Sequence, residues 1–382
     1  MVQDTNSMTL DELIRRVLFR LNGRVLHFKP KGMSHGNVLI SYITLPYLNT
    51  SERTLNAHTN RWESMAMVEA FRERGYAVDL IDISNNTFLP KKKYDFFIDN
   101  YHNMERLSPL LGADCKKIFH ATTAHWKFNN EAEQKRFDDL FARRGVRLLP
   151  DRIMPPNRAA EVCDEMTLIG NDFTAETYAF AHKKITRIPI STTHTFNSPE
   201  QKDFEAARKN FIWFGGAGAV HKGLDLVIEA FARMPEYNLT ICGKLDGEKE
   251  FREIYEKELS LPNIKIAGFM DPGSDAFKKL SRESIALVYP SCSEGQAGAA
   301  ILCMHAGLIP LRSRETGVSA PDGIILRENT IDEIILSVQT LSRESAEIMR
   351  KRAIATWRLA NTQHTRDAFK LHYSRYIDVL LS

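Results

Sequence analysis

Two glycine-bearing segments of the chain carry the residue types best suited to hold an anion and a polyol. The first is Gly215-Gly216-Ala217-Gly218-Ala219-Val220-His221-Lys222-Gly223, which follows an apolar run and opens a helical pattern. Bare amides in such a turn can approach an anion closely, the helix start favours negative charge, and Lys222 adds a positive one. It is not a Walker A loop, because His221 replaces the glycine before the lysine and Gly223 replaces Ser/Thr. The dinucleotide fingerprint also fails, since Gly216-x-Gly218 is followed by His221 rather than a third glycine. A tight strand-to-helix turn with a solvated lysine would use the same residues. The second segment is Tyr289-Pro290-Ser291-Cys292-Ser293-Glu294-Gly295-Gln296-Ala297-Gly298. A carboxylate there, beside the amides of Gly295 to Gly298, can accept sugar hydroxyls while the amides donate to oxygen. Ser293 as an N-cap and Glu294 as a first-turn acid are equally ordinary helix-start choices. Spacing alone leaves both readings open.

The elements that must position these residues form two successive strand-helix alternations. Val38–Ile43 is a continuous apolar run, as a strand buried on both faces of a parallel sheet requires. A long polar loop, 49–60, leads to a helix carrying Met65, Val68 and Phe71 and closed by Gly75, and Ala77–Ile83 is the next strand. Phe96–Ile98, Lys117–His120, Val146–Leu149 and Met166–Ile169 are further predicted strands. After a polar linker at 191–209 the alternation resumes with strands at Phe211–Phe214, Leu239–Cys242, Ile264–Ala267 and Ile285–Tyr289, a helix over 296–306, and a short run at Leu308–Leu311. Helices are predicted at Leu224–Met234, Lys249–Leu259 and Asp275–Leu280. The tail 362–381 sets Phe369, Tyr373, Tyr376, Ile377 and Leu380 at helical spacing. Two doubly wound α/β domains follow, a fold that binds ligands at the carboxyl ends of its strands. A chain of 382 residues suits two domains of about 150–200 residues each.

Composition narrows the function classes. The net charge of +3 is carried by residues 1–35, where six basic groups face Asp4, Asp11 and Glu12. The balanced remainder argues against a nucleic-acid binder, which needs a basic face. No apolar run approaches the roughly 20 residues of a membrane span, so a cytoplasmic protein is expected. The five cysteines have no C-x-x-C spacing and read as reduced, buried thiols. Leu10, Leu13, Ile14, Val17, Leu18 and Leu21 form an amphipathic helical stripe. That helix either docks on the N-terminal domain or a partner subunit, or lies on an anionic membrane surface through residues 9–21. A homo-oligomer is compatible with the first choice. No D-x-D or H-E-x-x-H occurs, and no metal site is expected.

In order, Phe214-Gly-Gly, Lys222-Gly-Leu-Asp-Leu, Ile241-Cys-Gly243, Ala267-Gly-Phe269, Pro290-Ser, Glu294-Gly and Met304-x-Ala-Gly307 resemble the C-terminal domain of retaining glycosyltransferases of family 4 (glycosyl transferases group 1). The resemblance covers about 110 residues well and the N-terminal domain more loosely. It implies a GT-B fold, with two Rossmann-like domains facing a cleft and a closing C-terminal helix. The expected boundaries are 1–35 for the helix and lead-in, 36–195 for an acceptor domain, 205–360 for a donor domain and 361–382 for the closing helix. The implied activity is transfer of a sugar from a nucleotide-sugar to a sugar, glycan or lipid-linked acceptor, with retention and without metal or cofactor, in polysaccharide or glycolipid assembly. The implied catalytic residues are Glu294, His125 and Lys222. The implied donor-binding residues are Gly216, Ala217, Gly218, Lys222, Gly243, Ser293, Glu294, Gly295, Gln296, Ala297 and Gly298. His125, in Lys117-Ile-Phe-His-Ala-Thr-Thr-Ala-His125-Trp126, is set against the bland alternative of a loop histidine, with His120 and Trp126 beside it and His58 and Arg61 as acceptor-side candidates. Two positions depart from the family pattern. Ala217 stands where an arginine usually precedes the lysine by five residues, and Leu302 where a second glutamate usually holds the ribose. Arg312 and Arg314 are candidates to replace the missing charge. A degenerate GT-B binding or scaffold subunit and a sugar-nucleotide epimerase are the alternative functions.

Overall fold

The computed structural model of the protein describes residues 9–382, so residues 1–8 of the predicted N-terminal segment lie outside it. Among the described residues thirteen strands form two sheets. The first contains β1 (Val25–Phe28), β2 (Gly36–Tyr42), β3 (Tyr76–Asp82), β4 (Phe96–Asp99), β5 (Lys116–Ala121), β6 (Glu165–Leu168) and β7 (Ile185–Arg187). Its order is β1-β3-β2-β4-β5-β6-β7, parallel except for β1 against β3. The second contains β8 (Asn210–Phe214), β9 (Asn238–Cys242), β10 (Ile264–Ile266), β11 (Ala286–Tyr289), β12 (Ile309–Ser313) and β13 (Ile324–Leu326), in the parallel order β10-β9-β8-β11-β12-β13. In both sheets the order reverses beside the first parallel strand, between β2 and β4 and between β8 and β11. Crevices at such reversals take ligands.

The central strands are apolar on both faces because helices cover both. Val38, Leu39 and Ile40 of β2, and Leu287 and Val288 of β11, are fully buried. The helix Leu224–Ala232 is almost wholly interior, which explains its near-uniform apolar sequence. It starts at Gly223, whose φ of +72° and close approach to the Pro290 carbonyl exclude a side chain.

Several expectations need correction. Val146–Leu149 is not a strand: β5 already has β4 and β6 as neighbours, and the segment leaves the helix Trp126–Arg144 through Gly145 (φ +68°) with Val146 and Leu149 exposed. The 49–60 stretch holds a short helix, Glu52–Asn56, capped by Ser51. The predicted helix Lys249–Leu259 breaks into Lys249–Ile254 and Glu256–Leu259 at Tyr255, and 191–209 contains the short helix Phe204–Ala207. All five cysteines are buried and free.

Two long helices tie the sheets together. From Trp126–Arg144, Arg136 donates to the Pro290 carbonyl (3.0 Å), Arg143 pairs with Asp225 (2.6 Å), and Arg144 pairs with Glu258 (2.7 Å). The final helix, Arg366–Leu381, returns to the first sheet, where it packs on the helix Thr59–Arg72 and Tyr376 Oη donates to buried Glu165 (2.7 Å). The N-terminal helix Leu10–Leu21 buries none of its residues, and its stripe stays 43% to 76% exposed. It touches the N-terminal half through its other face, where Arg15 donates to the Tyr47 carbonyl (3.5 Å) and the helix meets β1, while the apolar stripe stays uncovered.

Candidate functional site

A cleft of about 1380 Å³ opens between the carboxyl ends of the two sheets. The loops after β8 and β11 supply one wall, with Gly215, Gly216, Ala217, Lys222 and the segment Glu294–Ala299. Tyr42, Asn100, Thr122 and Thr123, at or just after the ends of β2, β4 and β5, supply the other.

Glu294 and Lys222 meet on the first wall, with Lys222 Nζ 3.5 Å from Glu294 Oε1. Tyr289 Oη (3.1 Å) and Ser291 Oγ (3.2 Å) donate to the same oxygen. Among the described residues Oε2 has no hydrogen bond. Burial opposes the charge on Glu294, but Lys222, His221 and Arg152 outweigh it and hold the carboxyl below its usual range. The site thus contains a fixed anion with one oxygen anchored and one free. Tyr289 and Ser291 were not singled out by sequence; a phenol ending a buried strand gives no local signal of what lies above it.

His221 stands beneath this pair. Its Nε2 donates to the Ser293 carbonyl (2.7 Å), and Nδ1 lies 3.6 Å from both Cys292 Sγ and Glu133 Oε2. Burial works against protonation, yet Cys292, Glu133 and Glu294 lift the ring to about 9. The histidine that spoils a Walker motif is therefore a buried cation fastening the glycine-rich loop to the helix Trp126–Arg144.

The loop amides are less free than the sequence suggested. The Glu248 carboxylate accepts from Gly218 N (2.8 Å) and Ala219 N (3.0 Å), so these two are occupied. Gly216 and Ala217 face the cleft, and their amides carry no hydrogen bond among the described residues. Ala297 N is also taken, by the Thr316 carbonyl (2.9 Å). The helix Gly298–His305 begins without a side-chain cap, and Gly298 and Ala299 of its first turn line the cleft. Gln296 lines it too, with Oε1 accepting from Ile190 N (2.8 Å). Ser293 is buried behind the wall, and Gly243 lies where a Cβ would meet Trp213 and the Gly215 carbonyl. Leu302 presents an apolar side chain to the cleft.

The histidine picked in the N-terminal half is placed differently from expectation. His125 does not line the cleft; its ring packs against Phe180 (4.6 Å), Trp126 (5.3 Å) and Tyr178 (5.4 Å), and burial pushes it down to about 4. His120 is buried in β5 against Thr167, and burial brings it to about 4 as well. Trp126 Nε1 is spent on the Asn157 carbonyl. His58 lines the cleft, whereas Arg61 turns to the Thr54 carbonyl (2.6 Å). Neither proposed replacement arginine reaches the cleft wall: Arg312 is buried in β12, where desolvation lowers it to about 10, and Arg314 lies over the Phe173 ring. Among the described residues no acid, histidine or cysteine cluster forms a metal site.

Glu63 is a cleft-lining carboxyl that sequence reasoning missed. It is buried and accepts from Ser191 N (2.9 Å) and Oγ (2.8 Å), yet burial outweighs these bonds and raises it to about 7. A raised carboxyl destabilises the fold only once the unfolded chain ionises, so the penalty is absent below pH ~4.5 and complete above pH ~7. Glu63→Gln is therefore expected to stabilise the protein by up to about 3 kcal/mol at pH ~8 and by little at pH ~4.5. Urea unfolding at the two pH values checks this, and an equal difference at both would contradict it.

Sucrose-phosphate synthase from Thermosynechococcus elongatus superposes with a TM-score of 0.61 at 12% identity, over 90% of this chain and 98% of that one. HepE from Anabaena, solved with UDP and glucose, gives 0.55 at 11% identity over 90% and 100%. The fold is GT-B. A third GT-B structure, α,α-trehalose 6-phosphate synthase from Burkholderia multivorans, gives 0.57 at 10% identity over 92% and 100%. Residues 197–354 match the family model described as "Glycosyl transferases group 1", which spans the glycine-rich loop and Glu294. No curated protein matches the chain in sequence. The resemblance read from the ordered motifs therefore agrees with both the fold and the family match.

Proposed function

We propose that the protein is a retaining glycosyltransferase, moving a sugar from a nucleotide-sugar to an acceptor hydroxyl in polysaccharide or glycolipid assembly. The observation that carries this reading is the Lys222–Glu294 pair at the sheet-order reversal of a GT-B cleft. Lys222 and the unoccupied amides of Gly216 and Ala217 hold the diphosphate and stabilise the negative charge that grows on it as the sugar departs. Charge compensation comes from these groups rather than from a metal. Glu294 Oε2 and the first-turn amides of Gly298–His305 receive the donor sugar's hydroxyls. The acceptor enters from the side of His58 and Glu63. Apolar Leu302 makes the ribose contact hydrophobic and moves nucleotide discrimination to other residues.

The test is to incubate the full chain with a panel of sugar nucleotides and glycan or lipid-linked acceptors and to measure nucleoside diphosphate release. Acceptor-dependent release is expected with at least one donor. Nucleotide-sugar binding without any turnover would instead favour a degenerate binding subunit, for which Ala217 and Leu302 are the motivating residues.

In the same reading the exposed stripe of Leu10–Leu21 rests on an anionic membrane surface at the cytoplasmic face, with Arg20 and Arg24 beside it. No helix among the described residues is long and apolar enough to cross a membrane. Leu13→Asp combined with Val17→Asp should weaken co-sedimentation with anionic vesicles by about tenfold or more. Unchanged sedimentation would remove this contact from the account.

A further inference from the structure

Resting on the diphosphate-binding reading above, we infer that Arg152 of the N-terminal half supplies the cation that Ala217 withholds, so the diphosphate is gripped by both halves. The charge on the C-terminal wall alone is insufficient. Lys222 is offset by Glu294 at 3.5 Å, His221 is buried beneath the pair with Glu133 facing it at 3.6 Å, and Glu248 adds a second carboxylate on the glycine-rich loop. Another cation is needed for a group carrying two or more negative charges.

Arg152 is the one placed for it. Its side chain lies across the glycine-rich loop, with Cδ 2.5 Å from where a Cβ on Gly218 would stand. It lines the cleft and acts electrostatically on both Glu294 and Tyr289. Among the described residues no hydrogen bond or ion pair engages its guanidinium, which has five donors to offer. Its backbone, in contrast, is fixed. Arg152 N donates to Glu133 Oε1 (2.8 Å), its carbonyl accepts from Asn129 Nδ2 (3.0 Å), and Met154 N donates to Asn130 Oδ1 (2.8 Å). The other Glu133 oxygen faces His221 of the glycine-rich loop, so the root of Arg152 is registered against the loop it crosses. A free guanidinium on a rigid root is a preorganised anion clamp. Two other cations line the cleft: Lys244, whose ammonium sits over the Phe269 ring at 5.0 Å, and Arg53, which stands on the short helix Glu52–Asn56 rather than across the glycine-rich loop.

Calorimetric titration of the full chain with uridine, guanosine, adenosine and cytidine diphosphates identifies the tightest probe. That probe is then applied to Arg152→Ala, Arg152→Lys, Lys244→Ala and the double variant Arg152→Ala with Ala217→Arg. Arg152→Ala should weaken the diphosphate by about tenfold or more and flatten the salt dependence of binding, with the matching nucleoside unaffected. Arg152→Lys should lose less, and the double variant should recover most of the affinity, which a purely structural role would not allow. Wild-type affinity in Arg152→Ala, a larger loss in Lys244→Ala, or no recovery in the double variant would overturn the inference while leaving the function standing. A wild-type chain that binds none of the four would remove the function itself, and this inference with it.

Discussion

Replacing Glu294 by Gln will reduce glycosyl transfer by about a hundredfold or more while leaving the fold intact. Gln keeps an acceptor for Tyr289 Oη and Ser291 Oγ, so the local hydrogen bonds survive. What disappears is the anion that orients Lys222 and the free oxygen assigned to the donor sugar. The carboxylate is held ionised against burial by three cations, so its loss leaves Lys222 and His221 without their counter-charge. The melting temperature should therefore fall by several degrees while the chain still folds. Steady-state kinetics with the best donor, together with a melting curve, checks both halves. Undiminished kcat/KM would mean that Glu294 supports the wall without touching substrate.

Gly295→Ala is expected to act through the backbone contact between the two halves. A Cβ at Gly295 would press on the Thr122 and Ile169 carbonyls, which are backbone atoms of the opposite half and cannot swing aside. Gly317, with φ +64°, closes on the Gly295 carbonyl from the other side. Three bonds bring the segments this near: Thr174 Oγ1 donates to the Gly295 carbonyl (2.9 Å), Ala124 N to the Glu294 carbonyl (3.2 Å), and Glu294 N to the Glu315 carbonyl (3.0 Å). Overpacking of this kind costs about 1–3 kcal/mol or more. The strain lies between halves, so separating them relieves it more cheaply than unfolding either. Small-angle scattering should show a larger radius of gyration, and donor affinity should fall by about tenfold or more. A variant as compact as the wild type, with unchanged affinity, would contradict this.

Much of the architecture is legible in the sequence because parallel strands buried on both faces leave continuous apolar runs. Val38–Ile43 and Ile285–Tyr289 are read correctly for that reason, to within a residue or two of β2 and β11. β1 is not, because it is an antiparallel edge strand of mixed burial. Val146–Leu149 misleads in the opposite way: its apolar residues suggest a strand where no sheet edge is available. The Lys222–Glu294 pair is foreseeable because each residue follows a strand end at a sheet-order reversal. Arg152 and Glu133 are not, since a loop and a helix from the other half bring them to the glycine-rich loop only through tertiary packing. The aromatic cage around His125 is hidden similarly: Tyr178 and Phe180 lie far along the chain from it.

The most direct test of the central claim is a crystal structure of the chain with a hydrolysis-resistant nucleotide-sugar. The account predicts the diphosphate against Gly216, Ala217 and Lys222, and the sugar hydroxyls on Glu294 Oε2. A nucleotide-sugar bound elsewhere, or in this cleft with its sugar directed away from Glu294, would contradict it.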